Sequence, residues 1–206
     1  YFGYARQDRK DQPRVSISAK LVANILSTSG VDRILSMDLH NASIQGFFDI
    51  PFDHLDASTL FTEYYLSRGI SNTVVVAPDI GSSKRGRAYA NRLGSDLALV
   101  DKKRLRPNEI DTVTLIGEVQ GKNVILVDDM IDTAGTLCSA ANLLFERGVE
   151  NISACCAHAI LSGKAIERIE ESRISKLVVT DSIPIPENKK IDKIEVCPSA
   201  SLFAEA

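Results

Sequence analysis

The sequence predicts an α/β protein built from parallel sheets flanked by helices. Short aliphatic runs without charge at 73–77, 124–127 and 177–180 are each typical of a buried parallel strand. Helical stretches alternate with them, and this order of strand, helix and strand favours a parallel sheet with right-handed crossovers. Because such folds place ligands at the carboxyl ends of strands, the polar residues after each run are the first candidates for function.

The other elements follow in chain order. Helices are predicted at 16–29 (capped by Ser16 or Ser18 and ended by Gly30), 58–69 (capped by Ser58), 81–93 (with Gly81, Ser82 and Ser83 leading it), 137–147 and 163–171, with a last one after Ser199. Further strands are predicted at 34–39, 96–101, 112–116, 152–161 and 194–197. The 112–116 strand could be the returning arm of a hairpin. Residues 53–58 are expected to link two domains.

Composition limits the class of protein. The chain has 206 residues, 44% of them hydrophobic and 25% charged, which suits one large or two small domains with a core. The formal net charge is −3 without a long basic run, so no nucleic acid is expected as a partner. No apolar stretch reaches the roughly 18 residues of a membrane-spanning helix, and no signal peptide is recognised, so no membrane is expected either. Four cysteines without metal-ligand spacing indicate reduced thiols in the cytoplasm.

The most specific stretch is VILVDDMIDTAGTL, residues 124–137. Asp128 and Asp129 are expected to follow the strand, and their carboxylates can accept hydrogen bonds from ribose hydroxyls. The backbone N–H groups of residues 133–136 are expected at a helix N-terminus, which favours phosphate. Gly135 lets the backbone approach closely, and the hydroxyls of Thr133 and Thr136 add donors. A strand ending in solvated acids, with a threonine cap, is the alternative, but the full run favours a phosphorylated sugar.

Polar residues elsewhere allow a functional and a structural interpretation. Arg6 and Gln7 suit nucleotide binding, one for phosphate charge and one for a base edge, although an exposed loop before Pro13 is equally compatible. His40 ends a predicted strand and is either a ligand or a structural histidine. Asp79 follows the 73–77 strand and suits a hard cation such as Mg²⁺.

A cationic run follows the 96–101 strand. Lys102, Lys103, Arg104 and Arg106 place four cations within five positions. A solvated loop is the usual interpretation of such a run. Next to a predicted phosphate site, the run also fits a loop that closes over transferring phosphates.

Together these motifs resemble the ribose-phosphate pyrophosphokinase (phosphoribosyl pyrophosphate synthetase) family. The matching stretches are YARQDRKD at 4–11, DLH at 38–40, IQGFFDIP at 44–51, PDIG at 78–81, VDKKRLRPN at 100–108, VDDMIDTAGT at 127–136, SGKAIERI at 162–169 and LFAEA at 202–206. They occur in family order at family spacing and cover essentially the whole chain.

The resemblance implies two phosphoribosyltransferase-like α/β domains. Residues 1–57 would be the remainder of the N-terminal domain, 58–198 the C-terminal domain, and 199–206 a helix that returns to the first. The implied reaction transfers the pyrophosphoryl group of Mg-ATP to the anomeric hydroxyl of ribose 5-phosphate, giving phosphoribosyl pyrophosphate and AMP for nucleotide biosynthesis. It also implies a cytoplasmic homo-oligomer of the hexamer-of-dimers type, with phosphate and ADP as regulators.

The resemblance also implies a role for each matched residue. ATP would contact Arg6, Gln7, Asp11 and His40, and Mg²⁺ would lie at His40 and Asp79. Lys102 and Arg104 would be the catalytic cations that stabilise the transition state. Asp128 and Asp129 would hold the ribose hydroxyls, with a second Mg²⁺ as an option. The 5-phosphate would bind at Asp132, Thr133, Ala134, Gly135 and Thr136, and Asp132 could also serve as a base.

The sequence departs from the family pattern in three ways. Gly81-Ser82 stands where the family usually has two glycines, and Ser43 where it often has Gln. The start of the N-terminal domain and the C-terminal tail are absent, so we expect a fragment. Those segments would supply ATP contacts across a subunit interface and part of the regulatory site, of which Gln45 and Asp53 would remain.

Two other functions share part of this pattern. A phosphoribosyltransferase would share the 127–136 loop but would have no ATP to bind, so YARQDRKD, DLH and the cationic run argue against it. A non-catalytic regulatory relative would not be expected to keep Lys102, Arg104, His40 and residues 128–136.

Overall fold

The computed structural model describes residues 1–10, 12–103 and 112–206. These residues form two compact units, one comprising 1–57 with 199–206 and the other 58–198. The helices are α1 (Ser18–Thr28), α2 (Ser58–Ser67), α3 (Ser83–Leu93), α4 (Gly135–Glu146), α5 (Ala165–Glu171) and α6 (Ala200–Ala204). The strands are β1 (Ile34–Met37), β2 (Phe52–Leu55), β3 (Thr73–Ala77), β4 (Asp96–Lys103), β5 (Thr112–Ile116), β6 (Asn123–Ile131), β7 (Asn151–Ala159), β8 (Lys176–Thr180) and β9 (Ile194–Cys197). Short 3-10 helices span Ala42–Phe47 and Glu187–Lys189.

The unit that contains the N-terminus has a small parallel sheet. β1 pairs with β2, with Ile34 opposite Phe52. The ring of Phe48 lies 5.0 Å from that of Phe52, between ring centres, and belongs to the core of this unit. The expectation of a linker over 53–58 was therefore wrong for 53–55, because strand pairing and aromatic packing place these residues in the sheet.

The larger unit is built around a seven-stranded sheet in the order β5-β4-β3-β6-β7-β8-β9. Neighbouring strands are parallel except β5, which returns antiparallel to β4 as a hairpin arm at the edge. β3, β6, β7 and β8 are almost wholly buried, which explains their continuous apolar sequences. The predicted α/β class with a parallel sheet flanked by helices is confirmed.

Element boundaries differ from the sequence expectation in informative places. β6 continues to Ile131, so Asp128 and Asp129 lie within the strand instead of after it. The backbone pairs with the neighbouring strand β7 on either side of Asp129, with Asp128 opposite Cys156 and Met130 opposite His158. The predicted serine cap of α1 is also wrong, since the N-cap residue is Ile17 and makes no side-chain cap bond. Ser58 is the first residue of α2.

Two further expectations concern the surroundings of the protein. All four cysteines lie in the described ranges, and none forms a disulfide there. Among the helices of the described residues, none is both long and apolar enough to cross a bilayer.

Gly117, directly after β5, occupies a position that excludes a side chain. Its φ is +112°, and a Cβ there would lie 2.8 Å from the Cβ of Ala98 and 3.0 Å from its Cα. We expect Gly117→Ala to lower the free energy of unfolding by about 2–4 kcal/mol, because strain and overlap with a strand backbone add. Urea unfolding midpoints measure this.

Gly121→Ala is the matched control for this prediction. Gly121 also has a positive φ, +64°, but a Cβ there would meet nothing within 4 Å. We expect a loss of only about 1 kcal/mol from backbone strain alone. Equal losses for the two variants would contradict the overlap with Ala98.

Candidate active site

The candidate site lies where the sheet order changes direction. β3 and β6 are neighbours, but the chain continues from β3 to β4 on one side and from β6 to β7 on the other. A crevice forms outside the carboxyl ends of two such strands, and open α/β sheets bind their ligands there. Asp79 follows β3, Asp128 and Asp129 lie near the end of β6, and the loop 132–136 follows β6.

An arginine from α3 bridges the two adjacent carboxylates of β6. The Nη1 atom of Arg85 lies 3.5 Å from Oδ1 of Asp128 and 3.3 Å from Oδ1 of Asp129. The side chains of Arg85 and Asp128 are 20% and 19% exposed, and that of Asp129 only 3%. Opposite charges this far from water interact strongly, and losing either partner leaves an uncompensated charge. The cluster therefore holds two acids at one edge of the sheet.

The acid nearer to solvent titrates abnormally. Burial raises the pKa of Asp128 well above its usual range, the charge of Asp129 raises it further, and Arg85 opposes both. The charge of Asp79 adds a smaller upward contribution to the same pKa. An acid with a strongly perturbed pKa in a crevice is typical of a functional site.

Asp79 is held in a tight turn before α3. Its Oδ1 accepts hydrogen bonds from the backbone N–H and the hydroxyl of Ser82, both at 2.8 Å. Ser82 is 3% exposed, and its hydroxyl also lies 3.0 Å from the backbone oxygen of Asp79. Ser82, one of the departures from the family pattern, thus fixes one carboxylate oxygen of a predicted metal ligand.

The loop after β6 has the backbone of an anion site. Ala134 adopts a left-handed conformation, with φ of +60°, and precedes Gly135, the first residue of α4. No described side chain caps the N-terminus of α4, whose first N–H groups would suit an anion. Thr133 and Thr136 are both exposed.

The protein around position 135 does not require a glycine there. A Cβ there would lie 3.8 Å from Nη1 of Arg168 and from Oγ1 of Thr133, an ordinary contact distance, and the left-handed conformation belongs to Ala134. Neither strain nor overlap with the chain explains a glycine at this position. A glycine there would leave room for a ligand to lie against the backbone.

Three of the residues predicted to contact nucleotide lie among the described residues of the first unit. Arg6, Gln7 and His40 are all exposed. Their segments are tied together, because the side-chain amide of Asn41 donates to Asp8 at 2.9 Å. The N–H of Ala19 also donates to the backbone oxygen of Gln7 at 3.2 Å.

The end of β1 shows which of its polar residues is structural. Asp38 is buried with φ of +43°, and its carboxylate accepts from the N–H of Ala57 at 2.9 Å. Nε2 of His54 accepts from the N–H of Leu39 at 2.9 Å. These bonds shape the turn that presents His40 to solvent.

The remaining predicted residues belong to the nucleotide motif, the cationic run and the expected regulatory site. Asp11 and Arg104 lie outside the described residues. The backbone of Lys102 lies in β4, pairing with Val113. Ala77, the last residue of β3, pairs with Leu99, so β4 extends four residues, 100–103, beyond β3 toward the edge that carries Asp79.

Of the two residues expected to form the regulatory site, Gln45 donates to the backbone of Ala42 and Asp53 pairs with Arg33.

Three residues at this site escaped the sequence analysis. They are Arg85, Ser162 and Arg168, and the last two contact the loop 132–136. The sequence did contain an indication for Arg85. It and Lys84 are cations in the first turn of α3, and that turn contains no acidic residue. Cations oppose the helix dipole at that end, which indicates an acidic partner nearby. For Ser162 and Arg168 the only signal was their place in SGKAIERI.

The sheet order, the loop after β6 and the acids at the switch point define a class, the phosphoribosyltransferase-like α/β proteins. APRTase from Giardia lamblia shares this fold with a TM-score of 0.50 over 60% of the chain and 75% of its own, at 22% identity. Two family models match, the phosphoribosyl synthetase-associated domain over residues 102–206 and the N-terminal domain of ribose phosphate pyrophosphokinase over residues 1–30.

Within that class, the chain belongs to the ribose-phosphate pyrophosphokinase family. The phosphoribosylpyrophosphate synthetase from Mycobacterium smegmatis has a TM-score of 0.94 and 41% identity, covering 100% of this chain and 67% of that structure. Ribose-phosphate pyrophosphokinases from Fusobacterium nucleatum and Helicobacter hepaticus are 51% and 53% identical over the whole chain. The chain spans 66% of the length of each of these two relatives.

Proposed function

We propose that this protein transfers the pyrophosphoryl group of Mg-ATP to the anomeric hydroxyl of ribose 5-phosphate. The observation that carries the proposal is the Arg85-bridged acid pair beside an uncapped helix N-terminus at the switch point. The two acids can accept hydrogen bonds from the ribose hydroxyls, and the loop can bind the 5-phosphate. Together they suit the two parts of one sugar phosphate. Membership of the family supports the same substrate.

In the proposed reaction the sugar hydroxyl is the nucleophile. Its oxygen forms a bond to the β-phosphorus of ATP while the bond from that phosphorus to the α,β-bridging oxygen breaks. AMP leaves with the bridging oxygen, and the hydroxyl proton passes to solvent or to a nearby carboxylate such as Asp132. Because such transfers involve little covalent chemistry by the protein, positioning and charge stabilisation account for most of the acceleration.

The residues divide between the two substrates. Asp128 and Asp129 orient the ribose hydroxyls, and residues 132–136 hold the 5-phosphate. We assign ATP to Arg6, Gln7, Asp11 and His40 on the strength of the family motifs. Lys102 and Arg104 supply positive charge to the transferring phosphates, consistent with the extension of β4 beyond β3.

The donor set fits magnesium held mainly by substrate. Within the described residues no group of three or more His, Cys, Asp or Glu side chains is placed to hold a metal. Mg²⁺ commonly uses one or two carboxylates together with substrate phosphates, and Asp79 offers such an oxygen. The family motif assigns the role of second ligand to His40. When bound, Mg²⁺ neutralises charge on the phosphates.

We also propose a domain organisation and assembly that follow the family. Residues 1–57 and 58–198 correspond to two domains, with 199–206 returning to the first. The working protein is a homo-oligomer built from dimers, with phosphate and ADP as regulators. Light scattering with and without phosphate tests the assembly.

Separation of AMP from ADP tests the reaction. The protein as the gene encodes it is incubated with Mg-ATP and ribose 5-phosphate, and the nucleotides are resolved by chromatography. AMP that appears only with ribose 5-phosphate is the expected result. ADP in its place would mean ordinary phosphoryl transfer and would overturn the proposal.

A further inference from the structure

The loop 132–136 is held by the segment that follows β7. The N–H groups of Ile160 and Leu161 both donate to the backbone oxygen of Ile131 at 3.0 Å. The N–H of Ser162 donates to the backbone oxygen of Asp132 at 2.8 Å, and its hydroxyl donates to Oδ1 of the same residue. Both the backbone and the side chain of Asp132 are thereby fixed from outside the loop.

The next loop residue is held by an arginine from α5. Nη1 of Arg168 donates to the backbone oxygen of Thr133 at 2.7 Å. Thr133 directly precedes Ala134, whose left-handed conformation turns the chain into α4. The same Nη1 atom lies 3.8 Å from the place where a Cβ on Gly135 would stand. The guanidinium of Arg168 therefore borders the space that a side chain at position 135 would occupy.

Arg168 is held on a well-anchored support. α5 packs on the core of the larger unit through Ala165 and Ile169, both 0% exposed. The ammonium group of Lys193 donates to the backbone oxygens of Ile169, Glu170 and Ser172 at 2.8–3.0 Å, which holds the C-terminal end of the helix. The backbone from which Arg168 extends is thus held in place, while its exposed side chain is held by the bond to Thr133.

We propose that Ser162 positions the phosphate-binding loop, and that Arg168 both positions the loop and contacts the 5-phosphate, so that the site selects ribose 5-phosphate over unphosphorylated ribose. This inference rests on the proposed function. Ser162 and Arg168 fix consecutive residues of the loop, so the N–H groups of α4 are arranged before the phosphate arrives. The guanidinium has five N–H donors, and the bond to Thr133 uses one, which suits a planar cation beside a phosphate.

Calorimetric titration with ribose 5-phosphate and with ribose tests the inference. In the full chain, Arg168→Gln is expected to weaken ribose 5-phosphate binding roughly 10- to 100-fold, because a charge-assisted contact and a loop restraint are both lost. Binding of ribose should change little, so the preference for the phosphorylated sugar falls. In turnover, the KM for ribose 5-phosphate should rise while the KM for ATP stays constant.

Two further variants separate position from charge. Arg168→Lys keeps the charge without the planar fork and should recover part of the lost affinity. Ser162→Ala removes the side-chain bond to Asp132 but leaves the backbone bond, so a loss of roughly threefold to tenfold is expected. Arg147→Gln, at the opposite end of α4 from the loop, is the control and should leave binding unchanged.

The outcomes distinguish this inference from the proposed function. If the unmodified protein binds ribose 5-phosphate and Arg168→Gln binds it as tightly as Arg147→Gln does, the inference is overturned and the function stands. If the unmodified protein does not bind ribose 5-phosphate, the proposed function fails, and the inference fails with it. If Arg168→Gln does not fold, Arg168→Lys still tests the inference. Unchanged affinity of Arg168→Lys for both ribose 5-phosphate and ribose would overturn the role assigned to the planar guanidinium.

Discussion

Replacing Arg85 with glutamine is expected to weaken ribose 5-phosphate binding by about 10- to 100-fold. The guanidinium is the cation that bridges Asp128 and Asp129, and both acids are largely withdrawn from water. Without it, the two carboxylates repel each other, and one of them takes up a proton in place of accepting from a ribose hydroxyl. Isothermal calorimetry with ribose 5-phosphate measures the loss.

The same variant should also be less stable. Removing one partner of a fully buried ion pair costs about 3–5 kcal/mol, and we expect about 2–3 kcal/mol because Asp128 is partly exposed and can be protonated. The double variant Arg85→Gln/Asp129→Asn removes the arginine and the more buried acid, leaving only Asp128 charged, and should regain stability without regaining affinity. Arg87→Gln, an exposed arginine of the same helix, is the matched control. Normal affinity in Arg85→Gln would exclude a role for the bridge in sugar binding.

The pH profile gives an independent measurement. The pKa of Asp128 is raised in the folded protein, and Arg85 partly offsets that rise, so Arg85→Gln should raise the pKa further. Binding that needs the ionised acid is lost as pH falls through this pKa, and the loss should occur at higher pH in the variant. Between the ordinary pKa of Asp128 in the unfolded chain and its raised pKa in the folded protein, the folded state binds more protons than the unfolded state. The contribution of Asp128 to the free energy of unfolding therefore decreases as pH rises through that window.

Replacing Lys102 with alanine is expected to lower kcat about 10²- to 10³-fold while changing the dissociation constant of ribose 5-phosphate by about twofold or less. A cation that acts on developing phosphate charge affects the transition state more than the bound ground state. The backbone supports this placement, because β4 runs past the end of β3 toward the edge where Asp79 stands. Steady-state kinetics and calorimetry on one preparation compare the two quantities.

Lys103→Ala provides the control for Lys102. It removes the same charge from the same strand at the adjacent position, so a general charge effect would lower kcat equally in both variants. A much smaller effect for Lys103 is expected if position matters. Losses of equal size in kcat and in ribose 5-phosphate affinity for Lys102→Ala would contradict its assignment to the transition state.

Local sequence patterns predicted most of the elements but not all of their boundaries. The run 124–127 is apolar and was predicted as a whole strand, yet β6 continues through two acids to Ile131. Pairing with β7 on one side and the charge of Arg85 on the other make acids tolerable in a buried strand. A local sequence pattern shows neither the pairing with β7 nor the nearby charge of Arg85. β2 was missed for the same reason, because its partner β1 and the ring of Phe48 are supplied by the tertiary fold.

The sequence by itself determined the α/β class, the family, and the stretch 127–136 as the centre of the candidate site, because strand hydrophobicity, turn chemistry and motif spacing are local properties. Only the tertiary structure decided that β3 and β6 are neighbours at the point where the sheet order reverses. It also decided that Arg85 reaches Asp128 and Asp129, and that Ser162 and Arg168 hold the loop. Such contacts join residues 30 or more positions apart, as between Ser162 and Asp132, and depend on strand order and packing, which no local pattern encodes.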